Sequence, residues 1–540
     1  MDQHTDKETS TDTHRSLCWW QRAVIYQIAP LSFQDSNGDG KGDLNGILHR
    51  IDYLTWLGVD AVWLCPIYPS PMLDFGYDIA DFCAVGPQFG SLADFDRLLE
   101  ALHRLGIRLL LDFVPNHTSD QHPWFKDSRS SRQSPKRDWY LWVDPAPDGG
   151  PPNNWLSRFG GSAWEWDAAS EQYYYHAFLP QQPDLNWRNP QLRTAMADVL
   201  RFWLRRGVDG FRVDASAVLA EDELLRDDPP NPSYNNSVPP PERFSRVFSD
   251  NRPESLAYIA AMRAVVDEFP DRVLAGEVQG AIDRIGRFYG TDRPAFHLPL
   301  NYVLLDTPWS AINLQAKIDA YLNAIPHGAW PDWIIGGHDK KRIADRIPAG
   351  QERIAAMLAF TLPGTAFFFA GDELGMRGVK IPSDQIHDEF EKRVPGYGLN
   401  RDPERAPMRW DSGPKAGFTT GEPWLPLGAD VAEHNVTRLQ NNQTSILWLY
   451  RRLLELRHKH PALTAGEYRP LRSLNQILRF ERVHGESALL IALNMSSEPR
   501  RLETARPNQI LLSTELDREG CFDASIMLRP NEGVILGSSP

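Results

Sequence analysis

Cysteine is scarce in this sequence of 540 residues, which contains only four, Cys18, Cys65, Cys83 and Cys521. No two of them form a Cys-x-x-Cys pair, so the sequence predicts neither structural zinc nor a disulfide scaffold. Long apolar runs are absent as well: no stretch of about 18 apolar residues occurs, and the chain begins with a polar segment. We therefore expect no membrane span and no secretory signal, and a soluble protein of the cytoplasm.

Basic residues are fewer than acidic ones: the sequence has 57 Lys and Arg and 71 Asp and Glu, which gives a net charge of −14. An acidic chain repels phosphate backbones, which argues against nucleic acid as a partner. The sequence has no Walker-type Gly-Lys-Ser/Thr, no His-Glu-x-x-His and no Gly-x-Ser-x-Gly, so the chemistries of those motifs are not predicted. Its 42% hydrophobic residues suffice for a large core, and its 18 Trp residues could also stack on sugar rings.

Short apolar runs alternate with amphipathic helical stretches through most of the chain. Helical patterns such as LNGILHRIDYLTWLG and SLADFDRLLEALHRLG each end in a Gly that serves as a C-terminal cap. Eight runs are typical of buried parallel strands, and they begin at Ala23, Val59, Ile107, Val208, Asp271, Pro294, Trp333 and Thr365. This alternation predicts an α/β fold, a (β/α)₈ TIM barrel, with its reactive groups at the C-terminal ends of the strands.

Three segments depart from the barrel pattern. Residues 118–188 are rich in Trp, Pro, Asn and Gly and follow the third strand, which predicts an inserted subdomain. Residues 215–253 form a long Pro-rich loop after the fourth strand, and loops of such length are usually functional. From residue 463 to 540 short alternating runs predict a C-terminal all-β domain, a β-sandwich. The barrel would then comprise 19–117 and 189–462, preceded by a disordered polar tail at 1–18.

Acidic residues come at the ends of four predicted strands. Asp112 follows the third, Asp214 the fourth, Glu277 the fifth and Asp339 the seventh. Carboxylates at successive strand ends point into one cleft, and glycoside hydrolysis requires such a pair, one to attack and one to protonate the leaving oxygen. Arg212 shares a face with Asp214 because side chains alternate along a strand, so we expect this cation to keep Asp214 ionised.

Five segments in order, DFVPNH (112–117), QPDLNW (182–187), GFRVDA (210–215), GEV (276–278) and GGHD (336–339), resemble the signature regions of the α-amylase superfamily, glycoside hydrolase family 13. Within it the chain is similar to the α-glucosidase and oligo-1,6-glucosidase branch, from about residue 19 to the C-terminus. The resemblance implies that Asp214 is the nucleophile, Glu277 the general acid/base and Asp339 the transition-state stabiliser. It also implies that the bound sugar is held by His117, Arg212 and His338.

Further segments resemble the pocket of that branch. Asp74-Phe75-Gly76-Tyr77-Asp78 and Arg405-Ala406-Pro407-Met408-Arg409-Trp410 match motifs in which the Asp and the Arg pair across the non-reducing end of the substrate. The resemblance implies that Asp74 and Arg405 close the pocket, that Tyr77 stacks on the sugar, and that Phe159 and Phe178 line the pocket. Ala215 follows the nucleophile where Val accompanies α-1,6 preference, which favours α-1,4 linkages. Gly337 replaces the usual Asn, and Pro115 the usual apolar residue.

A Gly-rich loop, DSNGDGKGD (35–43), spaces oxygen ligands in a way that suits a hard cation such as Ca²⁺ or Mg²⁺. Relatives bind a structural ion in this loop, which implies side-chain ligands at four positions and the backbone carbonyl of Lys41. The side-chain ligands would be Asp35, Asn37, Asp39 and Asp43. No Glu stands at the twelfth position, so the loop is an incomplete EF-hand, and an unmetallated acidic turn is the alternative.

The sequence therefore predicts a retaining exo-acting α-glucosidase that releases glucose from the non-reducing end of short α-glucosides and needs no cofactor for catalysis. One alternative is an α-glucosyl transferase, or a sucrose- or trehalose-processing enzyme, that uses the same glucosyl-enzyme intermediate. A second alternative, a non-catalytic barrel subunit of a transporter, is disfavoured because all three acids are present. We expect a small-molecule α-glucoside as the only partner, and a monomer or homodimer.

Overall fold

The structure is a computed structural model that describes residues 17–278, 280–504 and 508–538. Most of the predicted polar tail, residues 1–16, lies outside the described residues. At the centre stands an eight-stranded parallel sheet, as predicted. Its strands, numbered here as the first to the eighth barrel strand, are Val24–Ile28, Ala61–Leu64, Arg108–Phe113, Gly210–Val213, Val273–Val278, Leu298–Asn301, Asp332–Ile334 and Thr365–Phe369.

The barrel strands pair in the order seven, eight, one, two, three, four, five, six. Between the sixth and seventh strands a side chain joins the two edges: the backbone N–H of Asn301 donates to Asp332 Oδ1 at 3.0 Å, and its amide donates to the Asp332 carbonyl. The sheet is therefore a nearly closed barrel. Its interior is filled by apolar side chains from seven of the eight strands, among them Ile25, Trp63, Leu110, Ala275, Leu300, Ile334 and Phe367.

Helices cover the outside of the barrel, because each has one apolar face to bury against the sheet. The first predicted helix is in fact two, Leu44–His49 and Ile51–Leu57, separated at Arg50, and it ends at Gly58 in the left-handed conformation. The second, Leu92–Arg104, begins with a capping box between Ser91 and Asp94. The remaining larger barrel helices are Pro190–Arg206, Pro253–Val266, Ile282–Arg287, Ala311–Ala324, Glu352–Thr361 and Ile446–Lys459. Shorter helices are Trp19–Arg22, Val303–Asp306, Ile343–Arg346, Glu389–Arg393, Val436–Gln440 and Pro461–Thr464.

Two β-structures flank the barrel. After the third barrel strand come the helix Pro123–Ser130 and a small antiparallel sheet of Trp142–Val143, Trp164–Asp167 and Gln172–Tyr175. The C-terminal part is an antiparallel all-β domain, as expected. Its main sheet contains Glu467–Leu474, Ile477–His484, Ser487–Asn494, Gly533–Ser538, Asn508–Ser513 and Gly520–Phe522, and a second sheet pairs Arg500–Glu503 with Ser525–Leu528. Within the described ranges, no helix is both long and apolar enough to cross a bilayer.

Candidate active site

Strand register gathers polar side chains at one end of the barrel. Arg212 lies beside Asp112 on one side and beside Ala275 on the other. Asp214 comes two residues after Arg212, and Glu277 two residues after Ala275, so all four polar side chains share one face. Asp112 and Glu277 lie within the last residues of their strands and not after them. The prediction that these groups converge is confirmed by their contacts.

A buried arginine connects three carboxylates. The guanidinium of Arg212 donates from Nη1 to Asp112 Oδ1 at 2.8 Å and to Asp214 Oδ1 at 2.5 Å. Its Nη2 donates to Glu277 Oε2 at 2.7 Å. Because one planar guanidinium bridges Asp214 and Glu277, the two carboxyls lie within its span, compatible with the separation of about 5–5.5 Å found in retaining glycosidases. The site therefore holds two carboxyl groups close enough to act on one bond.

The charge balance of this cluster favours the uptake of a proton. Burial raises the pKa of Asp214 well above the ordinary range, and the neighbouring carboxylates of Glu277, Asp112 and Asp339 raise it further, while Arg212 opposes them. Arg212 thus lowers the pKa of Asp214, as expected, but burial and the neighbouring carboxylates raise it by more. The surroundings of Asp214 therefore favour its protonated form more than water does for an exposed carboxyl.

Asp339 has the opposite electrostatic environment. Its Oδ2 lies 3.1 Å from His338 Nε2, and its Oδ1 accepts a hydrogen bond from Arg405. Although burial alone would raise the pKa of Asp339, His338 and the arginines Arg405 and Arg401 hold it well below the usual range. The surroundings of Asp339 therefore favour its anionic form, whereas those of Asp214 favour the uptake of a proton.

The predicted ion pair between Asp74 and Arg405 is wrong. Asp74 Oδ1 instead accepts from Nη2 of Arg401 at 2.9 Å, and the same nitrogen lies 2.7 Å from Asp388. Arg405 ends a one-turn 3₁₀ helix, and its guanidinium lies beneath the site, 3.8 Å from the ring centroid of Phe75 and against Asp339. Arg401 stands four residues earlier in the same segment, and sequence reasoning missed it.

Arg401 is held in place from several sides. Besides Asp74 and Asp388, its guanidinium lies 5.0 Å from the ring centroid of Phe159. Burial alone would lower the pKa of Arg401, but the carboxylates of Asp74 and Asp388 raise it well above its usual value. Arg401 is therefore a permanent cation that closes one end of the site.

Histidine and tyrosine side chains complete the floor. Tyr77 donates to Asp112 Oδ2 at 2.9 Å, lies 2.8 Å from His338 Nε2 and stacks on the His338 ring. His117 lies 3.1 Å from Nε2 of Gln182, which also donates to Asp74. Burial lowers the pKa of His117 to about 4, so this ring is neutral. Gln182 belongs to the QPDLNW segment, whose presence could have indicated it.

Aromatic rings from two segments form one wall. Phe159 packs edge-on against Phe178 and stacks on Phe390 with the ring centroids 4.7 Å apart. Phe390 lies in the helix Glu389–Arg393, and Arg393 donates to the backbone carbonyls of Phe159 and Gly160. The segment around this helix therefore contacts the chain between the third and fourth barrel strands at the site.

A cavity of about 900 Å³ opens above these groups. Of the predicted site residues, Asp74, Tyr77, Phe159, Phe178, Asp214, Ala215, Glu277 and Asp339 line it. His117, Arg212, His338 and Arg405 are buried behind that lining, where they contact the lining residues. The Pro-rich loop forms the opposite wall, and Arg158, from the segment between the third and fourth barrel strands, binds Asp250 of this loop at 2.6 Å.

Two positions that depart from common patterns can be located. Ala215 has φ of 48°, a left-handed conformation that non-Gly residues rarely adopt and that is often found at functional sites. Gly337 has an open environment: a Cβ there would meet only Gln27 Oε1, at 3.7 Å. There is therefore room for a Cβ at position 337, and crowding there does not explain why this chain has Gly in place of Asn.

The acidic loop at 35–43 is organised by its own hydrogen bonds. The buried carboxylate of Asp35 accepts from the backbone N–H groups of Asn37, Gly38 and Gly40 at 2.8–2.9 Å. Although burial would raise the pKa of Asp35, hydrogen bonds from Thr419 and Gly40 hold it below its usual value. Asp35 is therefore an anion whose negative charge is balanced by N–H dipoles.

The other predicted ligands divide into buried and exposed ones. Asp43 is buried and caps the following helix by accepting from Gly46 N at 2.7 Å, whereas Asn37, Asp39 and Lys41 are exposed. All the donors are oxygens, a chemistry that suits a hard cation. Within the described residues, however, no three His, Cys, Asp or Glu side chains are gathered as metal ligands. An ion would therefore need backbone, amide or water oxygens besides these carboxylates.

Comparison with known proteins agrees with this geometry. Residues 27–466 match the model of the α-amylase catalytic domain. The chain belongs to the α-amylase family. A probable α-glucosidase of Rhizobium meliloti is 41% identical over 498 residues, 89% of this chain and 90% of the relative. An oligo-1,6-glucosidase of Parageobacillus thermoglucosidasius is 36% identical over 518 residues, with 89% and 91% covered. The solved structure of the α-glucosyl transfer enzyme XgtA superposes with a TM-score of 0.91 at 38% identity, covering 97% of this chain and all of that one.

Proposed function

We propose that this family member is a retaining exo-acting α-glucosidase that releases glucose from short α-glucosides, preferentially those with α-1,4 linkages. The observation that carries the proposal is the Arg212 guanidinium, which bridges Asp214 and Glu277 at the floor of a cavity closed at one end by Asp74 and Arg401. The α-glucosidases among its relatives support the same reading. Catalysis needs no cofactor, because carboxyl groups supply both the nucleophile and the proton.

In the first step Glu277 gives its proton to the glycosidic oxygen as the bond from that oxygen to C1 breaks. Asp214 attacks C1 from the other face, which forms a β-glucosyl ester and frees the aglycone. In the second step Glu277 takes a proton from water, the water oxygen attacks C1, and α-glucose leaves with Asp214 restored. Asp339, anionic beside His338, accepts hydrogen bonds from the sugar hydroxyls as the ring flattens.

The walls of the cavity define the donor pocket, the part of the site that would hold the terminal glucose. Asp74 and Arg401 bind the hydroxyls of the terminal glucose, and Tyr77 and the Phe159–Phe178 pair cover its faces. Arg405, in contrast, acts on the sugar only through Asp339, which it contacts. A pocket closed at one end admits a chain terminus, which supports the release of single glucose units.

Replacing Arg401 is expected to weaken the binding of the terminal glucose. Truncating one partner of a buried charge pair costs about 2 kcal/mol or more, so Arg401→Gln should lower kcat/KM for maltose at least about thirtyfold. Because the lost contacts are already present in the ground state, much of the change should appear in KM. The effect is measured by steady-state kinetics of Arg401→Gln. The control is Arg452→Gln, which changes an exposed arginine on the outer helix Ile446–Lys459. Equal kinetics of the two variants would contradict the assignment.

Purified protein with maltose, isomaltose, sucrose and trehalose, followed by chromatography, tests the proposed function. We expect glucose from maltose with a kcat/KM at least about tenfold above that for isomaltose, because pocket contacts discriminate by roughly that factor or more. Products larger than the substrate would instead establish the transferase alternative, which the likeness to an α-glucosyl transfer enzyme favours. An inactive protein on all four sugars would overturn both readings.

We also propose that the 35–43 loop binds a structural Ca²⁺ or Mg²⁺ through Asp35, Asn37, Asp39, Asp43 and the carbonyl of Lys41. The ion would stabilise the loop and take no part in the reaction. Saturating Ca²⁺ or Mg²⁺ should raise the Tm of chelator-treated protein by about 2 °C or more, since a bound ligand stabilises the folded state by mass action. Asp39→Asn should reduce this shift. An unchanged Tm with both ions would leave the loop as an unmetallated turn.

The domain division given above, the cytoplasmic location and the choice between monomer and homodimer stay predictions from the sequence.

A further inference from the structure

Several cations on one side of the cavity have no carboxylate partner. Arg284, Lys340 and Lys341 line the main cavity, and Lys340 also lines an adjoining cavity of about 240 Å³ together with Lys317. Within the described residues, none of these four side chains forms an ion pair, although Lys341 lies near enough to the buried carboxyl of Glu404 to lower its pKa. Three cations, Arg284, Lys317 and Lys340, therefore stand around the two cavities without an ion-pair partner among the described residues.

Two of these cations, Arg284 and Lys340, lie at the boundary between the two cavities. Gly280 and Lys340 line both cavities. The guanidinium of Arg284 folds back over Gly280: a Cβ on that glycine would lie 3.1 Å from Arg284 Nη1. The ammonium of Lys340 lies 5.6 Å from the ring centroid of Tyr302, which lines the smaller cavity. A small group entering this junction would therefore meet a guanidinium and an ammonium.

The acids of the donor pocket do not neutralise these cations. Asp74 is paired with Arg401, Arg212 binds Asp214 and Glu277, and Asp339 contacts Arg405. On the wall formed by the Pro-rich loop, Asp250 is paired with Arg158, and Glu242 lies near Arg158 and Arg246. The smaller cavity contains a single acid, Asp306, against Lys317 and Lys340. Positive charge is therefore in excess at the junction and not in the donor pocket.

We propose that the leaving half of the preferred substrate carries an anionic group, a carboxylate or a phosphate, that binds between Lys340 and Arg284. This inference rests on the proposed function, which places the transferred glucose among the acids. An anion on that glucose would be repelled by Asp74, Asp214 and Asp339, so the negative group belongs to the aglycone. Lys340 follows Asp339 directly in the chain and lines the same cavity as Asp214, Glu277 and Asp339. A guanidinium and an ammonium form strong charge-assisted hydrogen bonds with such oxyanions.

A pair of matched substrates tests the proposal. We would compare kcat/KM for 4-carboxyphenyl α-glucoside with that for 4-carbamoylphenyl α-glucoside, which has the same shape without the charge. A second pair, maltose with a phosphate on its reducing glucose and unmodified maltose, extends the test to the phosphate dianion. For each pair, the ratio of kcat/KM for the anionic substrate to kcat/KM for the neutral one is measured in three proteins. These are the unaltered protein, the double variant Lys340→Gln/Arg284→Gln, and Lys459→Gln, an exposed control outside both cavities.

We expect the anionic member of at least one pair to be favoured about fivefold or more in the unaltered protein. The double variant should lower that ratio at least about fivefold, and Lys459→Gln should leave it unchanged. The pair that responds distinguishes a carboxylate from a phosphate. A ratio of one or less in both pairs, or a ratio that the double variant does not lower, overturns the inference. Failure to cleave the neutral substrates would instead contradict the proposed function.

Discussion

Asp214→Asn is expected to lower the release of glucose from maltose by on the order of 10⁴-fold or more, the scale seen when a catalytic nucleophile is removed. The amide has the shape of the carboxylate but cannot form the glucosyl ester at C1. Its side chain still reaches Arg212, so the fold should persist. The variant removes one negative charge from a cluster whose carboxylates repel one another, so its Tm should equal or exceed that of the unaltered protein.

The measurement is maltose hydrolysis by the purified variant beside Asp138→Asn, a carboxylate of the inserted subdomain that lies outside the cavity lining. Glucose release above about 1% of the unaltered rate, with deamidation of the new Asn excluded by mass spectrometry, would contradict the nucleophile assignment.

Arg212→Gln is expected to destabilise the protein by about 3–5 kcal/mol near neutral pH and to abolish activity. Removing one partner of a buried ion pair leaves uncompensated buried charge, and here three carboxylates lose their common partner. Without the cation, the folded-state pKa of Asp214 rises further above its unfolded value of about 4, because Arg212 is the group that lowers it. A raised acid pKa costs stability as the pH rises through that range. The loss should therefore be larger at pH 8 than at pH 4.

Denaturant unfolding at these two pH values measures the effect. Arg457→Gln is the matched control, because Arg457 is equally buried but donates to the backbone carbonyls of Phe360 and Leu463. Its removal should destabilise the protein without this dependence on pH. A loss that is the same at both pH values in Arg212→Gln would show that the carboxylates do not depend on the guanidinium.

Much of the barrel could be predicted from the sequence, because its strands are buried on both faces and therefore read as continuous apolar runs. All eight predicted strands are present. The break at Arg50 within the first predicted helix was not foreseen, since the apolar pattern continues across it. The junction of the sixth and seventh strands also escaped prediction, because Asn301 and Asp332 form it through a side chain whose partner only the fold supplies.

The site could be predicted as a set of residues but not as a set of contacts. Alternation along the fourth strand places Arg212 and Asp214 on one face, and Glu277 was expected at the end of the neighbouring strand. The choice between Arg401 and Arg405 was beyond the sequence, because the direction of each side chain depends on the 3₁₀ turn Pro403–Arg405. The charge of Asp214 likewise depends on how many carboxylates surround Arg212.

The central claim, a covalent glucosyl-enzyme on Asp214, is tested most directly by mass spectrometry after incubation with 5-fluoro-α-D-glucosyl fluoride. This fluorinated sugar forms the ester with the nucleophile, and the fluorine slows its hydrolysis. We predict that one fluoroglucosyl group is added to the intact protein and that, after digestion, the label lies on the peptide containing Asp214. A label on any other carboxylate, or an unlabelled protein that nevertheless hydrolyses maltose, would contradict the account.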